Sequence, residues 1–309
     1  MEASMIKLFI VIVNWNGVTD TLTCLESLSR ANWRGIEGTV VLVDNGSTDD
    51  SLKKLAKWKS SAFSLHIIKK AQNLGFAGGN NVGISYAMNK NPDYIVLLNN
   101  DTIVDREIFI HFVNAAQRNP KAGILSPKIY FAKGYEFHKN RYTNNQLGKV
   151  LWSVGGNIDW NNVYAPNRGV DEVDTGQYDK TRPVDFATGA CMLVRPEVFA
   201  EIGMFDEKYF LYLEDVDLCM RAKKKDYKVV YTPEPVVWHK VSQSSAIGGG
   251  LNDYYTTRNR LLFARRYAPL RAQIAVVREA ARFVLSGRPW QKQGAIDYFM
   301  NRFGKGSWK

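Results

Sequence analysis

Residues 40–51 read Val-Val-Leu-Val-Asp-Asn-Gly-Ser-Thr-Asp-Asp-Ser, an apolar β-branched run that stops at Asp44 and breaks into an Asp-Asn-Gly turn. A short run buried on both faces and closed by turn residues is the mark of a strand in a parallel sheet. The same pattern lies upstream, where the apolar run Leu8–Val13 meets a turn at Asn14–Gly17 and a helix-like stretch follows from Thr19 to Ser29. It returns downstream as a third strand at Leu65–Ile68, a Gly/Asn loop at Asn73–Asn81 and a helix to about Asn89. Tyr94–Leu98 then forms a fourth strand that ends at Asn99-Asn100-Asp101. After Asp44, Ser47 and Thr48 are placed to cap a helix running through Lys59. Strands and helices in strict alternation predict an α/β fold with a mostly parallel central sheet flanked by helices.

The ligand face of such a sheet lies beyond the carboxyl ends of its strands. The four polar clusters, Asn14–Gly17, Asp44–Ser47, Asn73–Asn81 and Asn99–Asp101, all occupy that position. Each alone is good turn chemistry. Four on one rim point to a shared site.

Further along, residues 131–183 are polar and aromatic and read as one long excursion. Order returns at Val184–Val194, followed by a helix-to-loop segment at Phe199–Phe210 and a helix at Glu214–Lys224. Two short strands are expected at Lys228–Tyr231 and Val236–His239. The expected division is a domain over residues 1–250, in halves 1–105 and 106–250, and a basic helical extension over 251–309.

Charge supports that division. The chain of 309 residues carries 41 Lys+Arg and 30 Asp+Glu, a formal net of +11. Twelve of those basic residues, against only Glu279 and Asp297, fall between Arg258 and Lys309, leaving 29 basic and 28 acidic residues in the body. A near-neutral body argues against a nucleic-acid groove. In the extension, Leu270, Ile274, Val277, Ala281 and Val284 recur at helical spacing, with Arg271, Arg278 and Arg282 beside them. That stripe suits either packing against the body or an anionic membrane surface. The run Leu8–Val13 is far short of the roughly 20 residues of a membrane span, and no leader pattern is read ahead of it. Cys24, Cys191 and Cys219 offer no CxxC pair, so neither a disulfide framework nor a zinc site is expected, in keeping with a cytoplasmic location.

Several residues can carry chemistry. Asp44, at a strand end, can accept hydrogen bonds from a base or ribose. The glycines of Asn73–Asn81 permit close backbone approach ahead of a helix N-terminus that favours phosphate. Asp101 can take one position on Mg²⁺ or Mn²⁺. Glu214-Asp215-Val216-Asp217 puts three acids in four residues behind an aromatic lead-in, so desolvation can make one a general base. His239 ends another strand, near Ser242, Ser244 and Ser245, and is a candidate metal or phosphate contact.

Taken in order, IVIVNWNG (10–17), VVLVDNGSTDDS (40–51), NLGFAGGNN (73–81), LLNND (97–101), the string from Asp185 to Ala222, VWHKVS (237–242) and YYTTRNRLLF (254–263) resemble the family 2 glycosyltransferases of GT-A fold, in their rhamnosyltransferase-like branch. The resemblance covers roughly residues 6–265. It implies that Asn14, Asn16 and Asp44 hold the donor nucleoside and that Asn73, Gly75, Phe76, Gly79 and Asn80 line its ribose and diphosphate. Asn100 and Glu214 join the donor site, and Arg258 with Asn259 approaches the diphosphate. Asp101 stands at the last position of the family's DxD motif, His239 completes the metal site, and Asp215 is the catalytic base. One departure stands out: Asn99-Asn100-Asp101 keeps a single carboxylate, so the identity and affinity of the metal stay open.

The implied reaction is inverting transfer of a sugar from TDP-rhamnose or a UDP-sugar to a glycan or lipid-linked acceptor in cell-surface polysaccharide synthesis, with a peripheral place at the inner face of the cell membrane as the matching expectation. Two other readings compete. A sugar nucleotidylyltransferase shares the fold style, yet Asn-Trp-Asn-Gly occupies the place of its usual Gly-rich basic loop. A non-catalytic membrane or nucleic-acid module explains the extension and leaves the polar rim without purpose.

Overall fold

The computed structural model describes residues 5–241 and 249–308. Ser242, Ser244 and Ser245 therefore lie outside the described residues.

The alternation expected from the sequence forms the first half. β1 (Ile6–Asn14), α1 (Val18–Ser29), β2 (Ile36–Asp44), α2 (Ser51–Leu55), β3 (Ser64–Lys69), α3 (Gly75–Met88) and β4 (Tyr94–Leu98) follow one another. β1 pairs in parallel with β2 and β4, and β2 with β3, in a register that sets Asn14 directly beside Asp44. Four strands in the order β3-β2-β1-β4 reverse direction of growth at β1, which is the crevice where such sheets take ligands.

The second half is mixed. It comprises β5 (Thr102–Val104), α4 (Ile108–Arg118), β6 (Ala122–Phe131), β7 (Leu151–Ser153), β8 (Arg182–Pro183), β9 (Cys191–Val194), α5 (Pro196–Ile202), α6 (Glu214–Lys223) and β10 (Lys228–His239). β9 runs antiparallel between β4 and β6, and so joins the two halves into one sheet. The full order among the described residues is β3-β2-β1-β4-β9-β6-β10-β5, with β7 on β6 and β8 on β10. One hydrophobic cluster fills each face.

Three local expectations change. α2 is a short helix, because Ser47 and Thr48 bond to Asn14 and Asn16 rather than capping it. Residues 228–239 form one strand, not two, whose register with β6 shifts between Tyr231 and Val236 where Pro233 and Pro235 withhold ladder donors. The 131–183 excursion is tied to the body: β7 pairs with β6, and Val150, Val154 and Val163 are buried.

Beyond the sheet lie α7 (Gly250–Tyr267), α8 (Leu270–Ser286) and α9 (Pro289–Phe299). Leu261, Leu262, Phe263 and Ala264 of α7 enter the main core cluster, so the extension is anchored to the body. α8 packs through Ala272, Val276 and Ala280. The stripe read from the sequence points elsewhere: Leu270, Ile274, Val277 and Ala281 are exposed, and of its five members only Val284 reaches the core cluster. Ala272 and Ala280 let α8 lie close to its neighbours around the buried Val276, and the longer aliphatic side chains of the stripe face outward. No helix among the described residues is long and apolar enough to cross a membrane.

Candidate active site

The end of β1 builds the first corner of the site. Asn14 and Asp44 are fully buried neighbours, and the Asn14 amide donates to Asp44 Oδ2 at 3.0 Å and to Ser47 Oγ at 3.1 Å. The Ser47 amide donates to Asp44 Oδ1 at 3.2 Å. Asn16, left-handed at φ 51, accepts the amides of Thr48 and Asp49 and so ties the two strand-end loops together. Asn100 donates to Thr21 Oγ1 at 2.9 Å, and Thr21 in turn donates to Asn14. These bonds rigidify a polar crevice at the switch point of the sheet.

The sequence reading passed over Asn45. This buried side chain donates to Asn73 Oδ1 and Gly75 O, both at 3.0 Å, and accepts the Leu74 amide at 3.1 Å. It therefore holds the glycine-rich loop against β2. Its only signal was a place in an Asp-Asn-Gly turn. Gly75 has φ +74, and a Cβ there would lie 2.5 Å from Phe210, so the loop needs glycine on both counts. Gly79 and Asn80 do not line the open side of the crevice. A Cβ on Gly79 would meet Val13 at 2.9 Å, and the buried Asn80 amide donates to Phe76 O within α3. Both serve the packing of the helix. Asn73 and Phe76 remain part-exposed at its N-terminus.

A second corner forms where β5 pairs with β10, setting Thr102 opposite His239. Asp101 and His239 meet there, with Oδ1 and Nε2 3.0 Å apart. Burial works to raise the Asp101 pKa, but the adjacent His239, its hydrogen bond and Lys240 prevail and hold it below the usual carboxylate range. Trp152 meets the His239 ring edge-on at 4.6 Å, a neighbour that no motif marks. His239 Nδ1 is buried with no hydrogen-bond partner among the described residues. Among those residues no three His, Cys, Asp or Glu side chains gather to hold a metal. An ionised carboxylate beside an imidazole still fits a divalent cation that takes its other ligands from diphosphate oxygens and water.

The third corner is the start of α6. Asp215 Oδ2 accepts the Gly189 amide at 2.8 Å, and Oδ1 accepts the Val216 amide at 2.8 Å. Burial raises its pKa above the ordinary range, and the Gly189 and Val216 hydrogen bonds offset only part of that rise. A Cβ on Gly189 would lie 2.8 Å from the tip of the Phe76 ring, so the backbone here passes close beneath that side chain. The next residue, Ala190, accepts the Asn99 amide at 2.9 Å. Asp215 is thus fixed, through Gly189 and Ala190, to the strand end that carries Asp101.

The other two acids of the string have different surroundings. Glu214 is buried and one of its carboxyl oxygens, Oε2, has no partner among the described residues. Burial first, and then the charge of Asp215, push its pKa well up. Asp217 is fully buried and receives Arg221, Arg266, Tyr267 and Tyr209. Those donors absorb its charge, and it anchors α6.

Arg258 and Asn259 are placed behind the site, not on its open side. Arg258 donates to Asn259 Oδ1 and to the carbonyls of Gly304, Lys208 and Tyr209. The Asn259 amide donates to Tyr209 O at 2.9 Å and to Leu211 O and Tyr212 O at 2.8 Å. Both side chains are fully buried. The carbonyls of Tyr209, Leu211 and Tyr212 among these targets belong to a strained turn in which Phe210, Tyr212 and Leu213 have φ of 63, 70 and 71. This turn leads straight into Glu214 and Asp215. The expected diphosphate contact is therefore not what the structure presents: the guanidinium and the amide are committed to backbone carbonyls.

A family model described as glycosyltransferase like family 2 matches residues 7–284. The chain is 27% identical to the low-salt glycan biosynthesis hexosyltransferase Agl10 of Haloferax volcanii over 72% of its length, and spans 63% of that relative, just under two thirds. It is 28% identical to the N-acetylglucosaminyl-diphospho-decaprenol L-rhamnosyltransferase of Mycobacterium tuberculosis, with 72% of each chain covered. Among solved structures it resembles GalNAc-T7 with UDP, GalNAc and Mn²⁺, at a TM-score of 0.66 and 15% identity over 97% of this chain and 57% of that one.

Proposed function

The chain belongs to glycosyltransferase like family 2, and from that premise we propose that it transfers a sugar, with inversion, from a nucleoside diphosphate donor to a hydroxyl of a glycan or lipid-linked acceptor. The observation that carries this reading is the placement of Asp215, a carboxylate with raised pKa fixed through Gly189 and Ala190 to the strand end bearing Asp101 and His239.

Inverting transfer needs a base at the incoming hydroxyl and charge stabilisation at the departing diphosphate. In our reading Asp215 takes the acceptor proton as that oxygen attacks the anomeric carbon. The bond to the diphosphate oxygen breaks on the opposite side, and its electron pair leaves with the nucleoside diphosphate. Asp44, with Asn14 and Asn16, holds the nucleoside in the crevice at the end of β1, and Asn73, Gly75 and Phe76 border the ribose and diphosphate. Asn100 braces the first loop. Asp101 and His239 would hold Mg²⁺ or Mn²⁺, which supplies positive charge to the diphosphate. No second carboxyl is required, in contrast to a glycosidase, which needs one as acid.

Support for a rhamnosyl donor such as TDP-rhamnose comes from two relatives, the mycobacterial L-rhamnosyltransferase named for N-acetylglucosaminyl-diphospho-decaprenol and the dTDP-rhamnosyl transferase RfbF of Shigella flexneri. UDP-sugars stay in the test set. A lipid-linked acceptor would place the enzyme at the cytoplasmic face of a membrane in cell-surface glycan synthesis. The test is a panel of nucleotide sugars with Mg²⁺ or Mn²⁺, scored for slow hydrolysis. Release of a nucleoside diphosphate that stops in EDTA is the expected result. Release of pyrophosphate, or no turnover of any donor, would overturn the assignment.

A further inference from the structure

α8 has two unlike faces. The helix advances about 100° per residue, so Leu270, Ile274, Val277 and Leu285 fall within a single stripe. Arg271, Arg278 and Arg282 form a second stripe along its edge. The packed residues Ala272, Val276 and Ala280 lie on the far side. Exposure agrees: Leu270 is 72%, Ile274 45%, Val277 43% and Leu285 85% accessible. Four large aliphatic side chains in a row on a solvent face are unusual for a helix already anchored to a core. Phe299 and Met300, at the end of α9, are also exposed, and Phe299 borders the same groove as Val277.

Charge decides what fits this face. The one acid of α8, Glu279, is taken by Arg260 at 2.6 Å, so none is left on the exposed side to pair with the arginines. A second copy of the helix would bring arginine against arginine. Lipid phosphates would sit against the arginine row while the aliphatic stripe enters the acyl boundary.

We propose that the exposed face of α8 docks the enzyme on an anionic lipid bilayer, with Leu270, Ile274, Val277 and Leu285 inserted and Arg271, Arg278 and Arg282 at headgroup level. The proposal deepens the reading of a lipid-linked acceptor and rests on it only for its purpose, since binding needs neither donor nor acceptor.

The test is co-sedimentation of the full chain with vesicles of phosphatidylcholine alone or with phosphatidylglycerol. Binding is expected only to the anionic vesicles and should weaken as salt rises. Arg271→Gln with Arg278→Gln and Arg282→Gln should reduce partitioning by roughly a hundredfold, at about fivefold per basic residue. Ile274→Ser with Leu285→Ser should abolish it through the other arm of the mechanism. All five positions are exposed, so both variants should keep the wild-type melting temperature and rate of donor hydrolysis. Three results would each overturn the proposal: no binding by the wild type, wild-type binding retained by both variants, or a wild-type dimer that either variant dissociates. Vesicle binding without any donor turnover would leave the docking face standing and sink the glycosyltransferase reading instead.

Discussion

Asn259→Ala should uncouple catalysis from donor binding. In the wild type one amide serves three carbonyls of the turn 209–212, at 2.8–2.9 Å, and its Oδ1 receives the Arg258 Nε. Tyr209 O keeps Arg258 as a donor after the change, whereas Leu211 O and Tyr212 O lose this one. Leaving a buried polar group without its partner costs about 1–3 kcal/mol. Leu211 O and the Arg258 Nε–H, which donates to Asn259 Oδ1, both lose the partner seen here, which makes roughly 2–6 kcal/mol. The turn also stores about 1 kcal/mol or more in each of three left-handed residues, Phe210, Tyr212 and Leu213. Strain and clamp are thus of similar size, so the turn should relax before the protein unfolds.

Relaxation would move Asp215, two residues beyond Leu213, off the Gly189 amide. A misplacement of about 1 Å can cost about a hundredfold in rate. The donor crevice at Asn14 and Asp44 lies on other loops and should be unaffected. Steady-state kinetics should therefore show kcat down about a hundredfold with donor KM nearly constant, and urea unfolding should show a loss of roughly 2–6 kcal/mol. A variant with that stability loss and an unchanged kcat would refute the reasoning, because the clamp would then serve stability alone.

Other outcomes follow from the same geometry. Glu214 has a folded pKa well above its ordinary value, because of burial and then Asp215, so the folded state keeps a proton that the unfolded chain releases. As pH climbs above the ordinary Glu value of about 4.3, this residue lowers stability by up to about 1.4 kcal/mol per pH unit until its own folded pKa is reached. Glu214→Gln should accordingly gain on the wild type between pH 5 and pH 8 in urea titrations, and a pH-independent difference between the two would contradict the assignment. Asp101→Asn should raise the Mn²⁺ concentration for half-maximal rate by at least about tenfold. An unchanged metal requirement would remove Asp101 from the cation site.

Much of this architecture is legible in the residues, and the reasons differ by element. Strand ends were readable because a buried parallel strand must be apolar throughout and must stop where polar chemistry begins, as at Val43–Asp44 and Leu98–Asn99. That signal is local and strong. The α6 acids were readable as a cluster, but their separate environments were not. Whether an acid is neutralised depends on Arg221 and Arg266, and the Arg266 contact crosses 49 residues of sequence.

Arg258 and Asn259 show the same limit in reverse. A basic and an amide side chain near the end of a domain look like ligand contacts until the carbonyls of a strained turn are seen to use them. The stripe on α8 was legible as a stripe, yet periodicity alone cannot tell which face packs. The packed face carries Ala272, Val276 and Ala280, where two alanines permit close approach around a buried valine. Asn45 carried no signal beyond its turn, since its work is done against a loop 28 residues away.

Proton acceptance by Asp215 is the central step of the proposed mechanism. Its most direct measurement compares wild type and Asp215→Asn in one preparation, by calorimetry with TDP or UDP and by turnover of the donor identified in the nucleotide-sugar panel. Nucleoside diphosphate binding should stay within about threefold of wild type while turnover falls at least about a thousandfold, within the range expected for loss of a general base. Wild-type turnover in Asp215→Asn would contradict that role.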